Sequence, residues 1–214
     1  MIYKNIIWDW NGTIVNDAWV FVKIMNNILK QKQLLQISLE DYKHNFCFPI
    51  QDYWHNLGFR FTKKSFNQLN AQFISEYQKT MLVPKLHFGI VNLLNKLHAQ
   101  GLQQFVLSAS ESSLLKKAVA YYEIDSFFID ILGVDNLNAE GKKELGELLF
   151  NKYNLNPHET VIVGDTEYDY EVAKHLNCSI VLISHGHIDH DRLKKTCSTV
   201  VASLSELESL FKKN

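Results

Sequence analysis

The sequence predicts an α/β protein: a doubly wound, Rossmann-like parallel sheet core, interrupted near its start by an inserted helical cap. Three strongly apolar runs, Ile6-Ile7-Trp8, Phe105-Val106-Leu107 and Val161-Ile162-Val163, end in polar residues at Asp9, Ser108 and Gly164-Asp165. Buried parallel strands read this way where they surface beside a ligand crevice. Between residues 17 and 83 the pattern is helical, with polar breaks and no strand-like run. Beyond Pro84, helical patterns alternate with short apolar ones, the sign of crossover connections. The expected division is residues 1–16 and 84–214 for the core and 17–83 for the cap, closely hinged because no flexible linker intervenes.

In order along the chain, Ile6 to Trp8 is the first strand, and Gly12-Thr13 permits a sharp turn after Asp9. Asn16 or Asp17 is placed to cap the next helix, where Trp19, Val22, Ile24, Met25, Ile28 and Leu29 share one face. Ser38 to Asp41 has the form of a capping box, and Pro49 suits a first helical turn. A longer helix runs from Lys63 to Thr80 with Phe66, Leu69, Phe73, Ile74 and Tyr77 on its apolar side. These cap aromatics read as core, given the area each buries. A helix from Gly89 to Gln100 stops at Gly101. Then come the Phe105 strand, a helix over Ser112–Tyr122, a weak strand at Ile129–Leu132, a helix over Lys143–Tyr153 and the Thr160–Val163 strand. Further strands are expected near Ile180–Ile183 and Val200.

At 214 residues and 46% hydrophobic content, the chain can bury a full core. A formal net charge of -1 gives no general attraction to nucleic acid or an anionic membrane, so neither is expected as a partner. Cys47, Cys178 and Cys197 are scattered and outside any C-x-x-C spacing, which points to free thiols. No apolar run approaches a membrane span and the start does not read as a signal peptide, so a cytoplasmic protein is expected. No sequence signal indicates an oligomeric state.

A parallel sheet brings Asp9, Ser108 and Asp165 to one edge, with Lys142 on the loop after another strand. Carboxylates, a hydroxyl and a cation in one cleft suit a phosphate ester. A carboxylate can attack a phosphoryl dianion only where a metal and a cation neutralise the charge between them. Asp9 and Asp165 could share Mg2+, which takes a few carboxylate oxygens and keeps several waters.

On these residues the chain resembles the haloacid dehalogenase superfamily hydrolases, nearest to the phosphoglycolate-phosphatase-like members with a helical cap, over nearly its whole length. The family's DxDGT motif is matched by Asp9-Trp10-Asn11-Gly12-Thr13, its strand-ending Ser or Thr by Ser108, its Lys by Lys142 and its GDxxxD by Gly164 to Asp169. The resemblance implies Asp9 as the nucleophile of an aspartyl-phosphate. It implies Ser108, Ala109, Gly12 and Thr13 around the phosphoryl group, and Lys142 as the balancing charge. It places Mg2+ among Asp9, Asp165 and the backbone carbonyl of Asn11, with Asp169 orienting metal-bound water or the Lys. The residues alone leave rivals open: Ser108 as a helix cap, Lys143 in place of Lys142, and Asp169 as a first-turn helix acid.

The departure is Asn11, where the family's second Asp would exchange protons with the leaving alcohol and with water. Two readings follow. One is a phosphatase acting on a small phosphorylated metabolite; the other is a phospho-ligand-binding or regulatory protein with little turnover. Phosphomutase chemistry is disfavoured, since both its half-reactions need that acid and base. The loop around Phe46, Phe48, Gln51 and Arg60 is expected to choose the leaving group. His185-Gly186-His187-Ile188-Asp189-His190 spells the HxHxDH signature of metallo-β-lactamase-like hydrolases. No His follows it to complete such a site, so it reads as a loop with adventitious affinity for transition metals, leaving a strand near the cleft.

Overall fold

The computed structural model describes residues 3–135, 139 and 141–211. Among them β1 (Asn5–Trp8), β2 (Gln103–Glu111), β3 (Asp130–Val134), β4 (Thr160–Gly164), β5 (Ser179–Ile183) and β6 (Val200–Val201) form one parallel sheet in the order β3-β2-β1-β4-β5-β6. Trp8 pairs with Val106 on one side and Val163 on the other, so Asp9, Ser108 and Asp165 emerge at nearly the same height. The winding reverses at β1, and that reversal opens a crevice at the carboxyl ends.

Both faces of the sheet are covered, which explains the unbroken apolar runs. Ile6, Trp8, Val106, Val161 and Val163 pack into one core, while Ile7, Phe105, Leu107 and Ile162 pack into a second across the sheet. The buried indole of Trp8 donates to Gln104 Oε1 at 3.1 Å, and Gln104 Nε2 donates to Leu94 O at 3.0 Å, so these polar groups are satisfied inside.

Between β1 and the rest of the sheet lie α1 (Ala18–Gln31), α2 (Leu39–Asn45), α3 (Ile50–Asn56) and α4 (Lys63–Thr80). The sheet is flanked by α5 (Ile90–Ala99), α6 (Ser112–Tyr121), α7 (Lys142–Tyr153), α8 (Glu167–His175), α9 (His190–Thr196) and α10 (Leu204–Phe211). The Ser38–Asp41 capping box forms, and Gly89 and Gly101 bracket α5 at φ 89° and 83°, where a side chain would be strained. No helix of the described residues is long and apolar enough to cross a membrane.

Several expectations are corrected. Asp17 occupies the N-cap position of α1 but makes no side-chain cap, because its carboxylate turns into the site described below. Trp19 is 40% exposed and donates to Asn16 O, leaving Ala18 and Val20 to bury that turn. β2 runs on to Glu111 through a register irregularity after Leu107, and Gly133 of β3 lets Ser110 approach: a Cβ there would stand 2.6 Å from Ser110 O. The short α9 and the terminal α10 lie where the sequence reading placed no helix.

The cap is tied to the core by its α2–α3 connection. Arg192 of α9 donates to Phe46 O at 2.7 Å and His44 O at 2.9 Å, and pairs with Glu167 at 2.7 Å. Phe48 stacks on Tyr168, with ring centroids 4.8 Å apart. At the other junction Asn16 and Ile14 exchange backbone bonds with Lys85 and His87.

Candidate active site

Asp9 leaves β1 with its N–H donating to Val163 O at 2.8 Å, so the neighbouring strand fixes its backbone. Lys142, the first residue of α7 after the left-handed Gly141, is buried. Its Nζ donates to Asp9 Oδ1 at 2.5 Å and to Asp169 Oδ1 at 2.6 Å. Lys143, the rival, lies on the surface 4.0 Å from Glu171. Asp169 has two tasks. Its other oxygen accepts from Thr166 N and Oγ1 in a capping box that opens α8, so helix capping aims the carboxylate at Lys142.

Asp165 is fully buried behind Asp9, accepting from Thr13 Oγ1 at 3.1 Å and from the His187 N–H at 2.6 Å. Two glycines make room for it. A Cβ on Gly12, whose φ is 73°, would stand 2.2 Å from Asp165 Oδ2, and one on Gly186 only 2.0 Å away. Gly12 and Thr13, expected around the phosphoryl group, thus form the wall that holds Asp165. Ser108, Ala109, Asn11, Asp9 and Lys142 line the open cleft. Ser108 does not cap α6: Glu111 accepts from Ser113 N and Leu114 N there, while Ser108 Oγ accepts from Ser110 N.

The charges are out of balance. Burial pushes the Asp9 carboxyl up to about 8; Lys142 opposes this, and Asp169 and Asp165 add to it. Burial likewise raises Asp165 to about 6, against the pull of His187. Burial also works against the Lys142 charge, but Asp169 and Asp9 outweigh it and hold the ammonium above its usual range. Asp9, Asp165 and Asp169 each offer an oxygen within 4.8 Å of the others. A buried set of hard oxygen donors with surplus negative charge fits Mg2+.

Asn11 is bound on every side. Its Oδ1 accepts from Ser110 Oγ at 2.6 Å, and its Nδ2 donates to Asp17 Oδ2 at 2.5 Å and Tyr77 Oη at 2.7 Å. Asp17, 0% exposed, also accepts from Gly12 N, Tyr77 Oη and His187 Nε2. The His187 ring reaches Tyr42 Oη with its other nitrogen, at 2.7 Å. Burial lowers the His187 pKa, yet the bond to Asp17 and the charges of Asp17, Asp165 and Asp9 outweigh this and raise it.

The three histidines of the HxHxDH run diverge. His187 lines the cleft, His190 meets Ser184 Oγ at 3.1 Å, and His185 donates to Thr13 O while stacking on His87 at 3.5 Å. His87 donates to Gly12 O at 2.9 Å. Burial holds both stacked rings neutral, His87 at about 4 and His185 at about 3, so each keeps a carbonyl acceptor for its N–H. Asp189 caps α9.

Sequence reasoning missed Asp17, Tyr77 and Ser110 as site residues, and brought the histidine loop near the cleft without singling out His187. Asp17 and His187 are 170 positions apart, and the fold brings them together, Asp17 tied to Gly12 N after β1 and His187 tied to Asp165 in the loop after β5. Of the cap aromatics read as core, Trp54, Phe73 and Tyr77 are buried and also line the cleft, as does Phe46 of the loop expected to choose the leaving group. Phe48 lines it too, whereas Gln51 and Arg60 are exposed and outside it, Arg60 donating to Phe59 O at 2.9 Å.

A buried carboxylate–lysine–carboxylate site at the switch point of a doubly wound sheet, under a helical cap, defines a class of α/β hydrolases. The sequence pattern of the haloacid dehalogenase-like hydrolases matches residues 6–183, and the chain belongs to that family. Within it the chain is phosphoglycolate-phosphatase-like. It is 21% identical over 194 residues to a phosphoglycolate phosphatase of Rhodobacter capsulatus, covering 85% of this chain and 84% of that one. It is 26% identical over 197 residues to one of Mannheimia succiniciproducens, covering 86% and 87%. A haloacid dehalogenase-like family hydrolase from Streptococcus pneumoniae shares the fold, with a TM-score of 0.82 over 98% of this chain and 99% of that one at 19% identity.

Proposed function

We propose that this hydrolase is a Mg2+-dependent phosphatase that cleaves a small phosphate monoester through an aspartyl-phosphate on Asp9. The observation that carries the reading is the Lys142 ammonium between Asp9 and Asp169, beside buried Asp165. Asp9 attacks phosphorus, and Lys142 holds its carboxylate and offsets charge as the phosphoryl group approaches. Ser108 and Ala109 hold the phosphoryl oxygens. Asp9, Asp165 and the Asn11 carbonyl would bind Mg2+, with Asp169 orienting Lys142 or metal-bound water; bound there, the ion supplies Lewis-acid charge neutralisation. The cap, taken as residues 17–83 hinged to a core of 1–16 and 84–214, shields the reaction from bulk water. A cytoplasmic phosphorylated metabolite is the proposed substrate.

Asn11 favours a second reading. Its amide is locked by Ser110, Asp17 and Tyr77 and carries no transferable proton, which suits a protein that binds phosphorylated ligands and turns them over slowly. A screen of phosphorylated metabolites with Mg2+ separates the two. The phosphatase reading predicts hydrolysis that EDTA stops reversibly and that Asp165→Ala abolishes. Binding without hydrolysis would favour the slow ligand-binding protein.

A further inference from the structure

The wall facing the phosphoryl site carries information about the rest of the substrate. The cleft, with a volume of about 130 Å³, is walled on the cap side by Met25, Phe46, Trp54, Phe73, Ile74 and Met81. Among the described residues, Lys142 and His187 are the lining residues that can carry positive charge. Both are already paired: Lys142 with Asp9 and Asp169 at the phosphoryl end, and His187, whose ring packs against Phe21, Tyr42 and Phe46 of the cap, with Asp17 and Tyr42 Oη. The described cations of the cap face elsewhere. Lys43 donates to His185 O, Arg60 donates to backbone carbonyls at the surface, and the remaining cap lysines are exposed. Two uncharged polar groups share the wall: the Tyr77 hydroxyl, bonded to Asn11 and Asp17, and the buried amide of Asn70.

An anionic leaving group such as a carboxylate or a second phosphate would lose its water against this wall and gain no counter-charge. An apolar one would exchange water for aromatic rings and two methionine thioethers, which adapt to irregular shapes. We propose that the pocket selects phosphate monoesters whose alcohol is uncharged and apolar, an aryl-alkyl or medium-chain alkyl group, and rejects esters whose alcohol bears a carboxylate or phosphate. This rests on the phosphatase reading for its chemistry and sets the chain apart from the phosphoglycolate named for its relatives.

The test compares 2-phenylethyl phosphate and hexyl phosphate with phosphoglycolate as Mg2+-dependent substrates, beside calorimetric binding of 2-phenylethylphosphonate and phosphonoacetate. The expected result is kcat/KM at least about 100-fold higher for the apolar esters, the scale on which a pocket discriminates when burial leaves a charge unpaired. The phosphonates should rank the same way. Ile74→Lys, which places a cation on a half-buried wall position, should shift the ratio toward phosphoglycolate by about tenfold or more; Ile74→Ala, checked for folding by thermal melting, should not. Apolar phosphonates binding tightly with no ester hydrolysed would uphold the pocket and overturn the phosphatase reading. Hydrolysis or binding that favours the carboxylated ligands, or no phosphonate binding at all, would overturn the pocket.

Discussion

The substitution that most bears on turnover is Asn11. A positioned acid or base contributes about 10²–10⁴-fold, so its absence slows whichever half-reaction needs the proton. The structure shows what an Asp would meet there: Asp17 Oδ2 lies 2.5 Å from the Asn11 amide. A second carboxylate at that contact would face the Asp17 carboxylate, and like-charge repulsion would raise the new group's pKa toward the value an acid needs near neutrality. Asn11→Asp is therefore expected to raise kcat by at least about tenfold, on alkyl phosphates by supplying the acid for the leaving group and on activated aryl phosphates by supplying the base for dephosphorylation. A variant slower than the parent on both would show that another group already moves the proton. The motif residues were legible because each follows an apolar strand run or opens a helix, positions that leave a mark in the local pattern, even though Ser108 proves to lie within β2. Asp17, Tyr77 and His187 carry no such mark, since contacts across 60 to 170 positions define them.

At the scale of elements, the strand alternation and the glycine-bounded helices were readable, whereas two features were not. The extension of β2 through its irregularity depends on Gly133 of a neighbouring strand, and the cap aromatics face a cleft that no periodicity distinguishes from a core. The loop after β5 was legible only as a leaving segment; its role is to close on Asp165 through the His187 N–H and the bare Cα of Gly186. Gly186→Ala would put a methyl 2.0 Å from Asp165 Oδ2, forcing that carboxylate or the loop to move. Since a misplacement of about 1 Å can cost about 100-fold, kcat/KM should fall by that order and the Mg2+ requirement should rise. Parental activity and metal affinity in this variant would remove Asp165 from the metal site.

For the whole molecule, the site sets stability against function. Asp9 is raised from 3.8 to about 8 and Asp165 from 3.8 to about 6, so the folded chain binds more protons than the unfolded one between those values. Stability of the metal-free protein should fall as pH rises through that window. The raised His187 acts in the same direction: its pairing with Asp17 stabilises fully below the ordinary value of 6.5 and is lost as pH rises through its folded pKa. Mg2+ at about 100 times its Kd adds about 2.7 kcal/mol, or roughly 5–10 °C in Tm for a chain of this size. Melting curves should show that gain at pH 8 and little of it at pH 5, where the carboxylates hold protons. A Tm unmoved by Mg2+ at either pH would mean that the carboxylates do not bind it.

The covalent role of Asp9 is the claim on which the rest depends. With Asn11 unable to activate water, p-nitrophenyl phosphate should load the enzyme faster than it unloads, so a phosphoryl adduct should accumulate. Acid quenching during turnover with Mg2+, followed by peptide mass spectrometry, should find the phosphoryl group on Asp9 and should find none in Asp9→Ala, which should also be inactive. Phosphate release by Asp9→Ala at the parental rate, or an adduct on another residue, would contradict the mechanism.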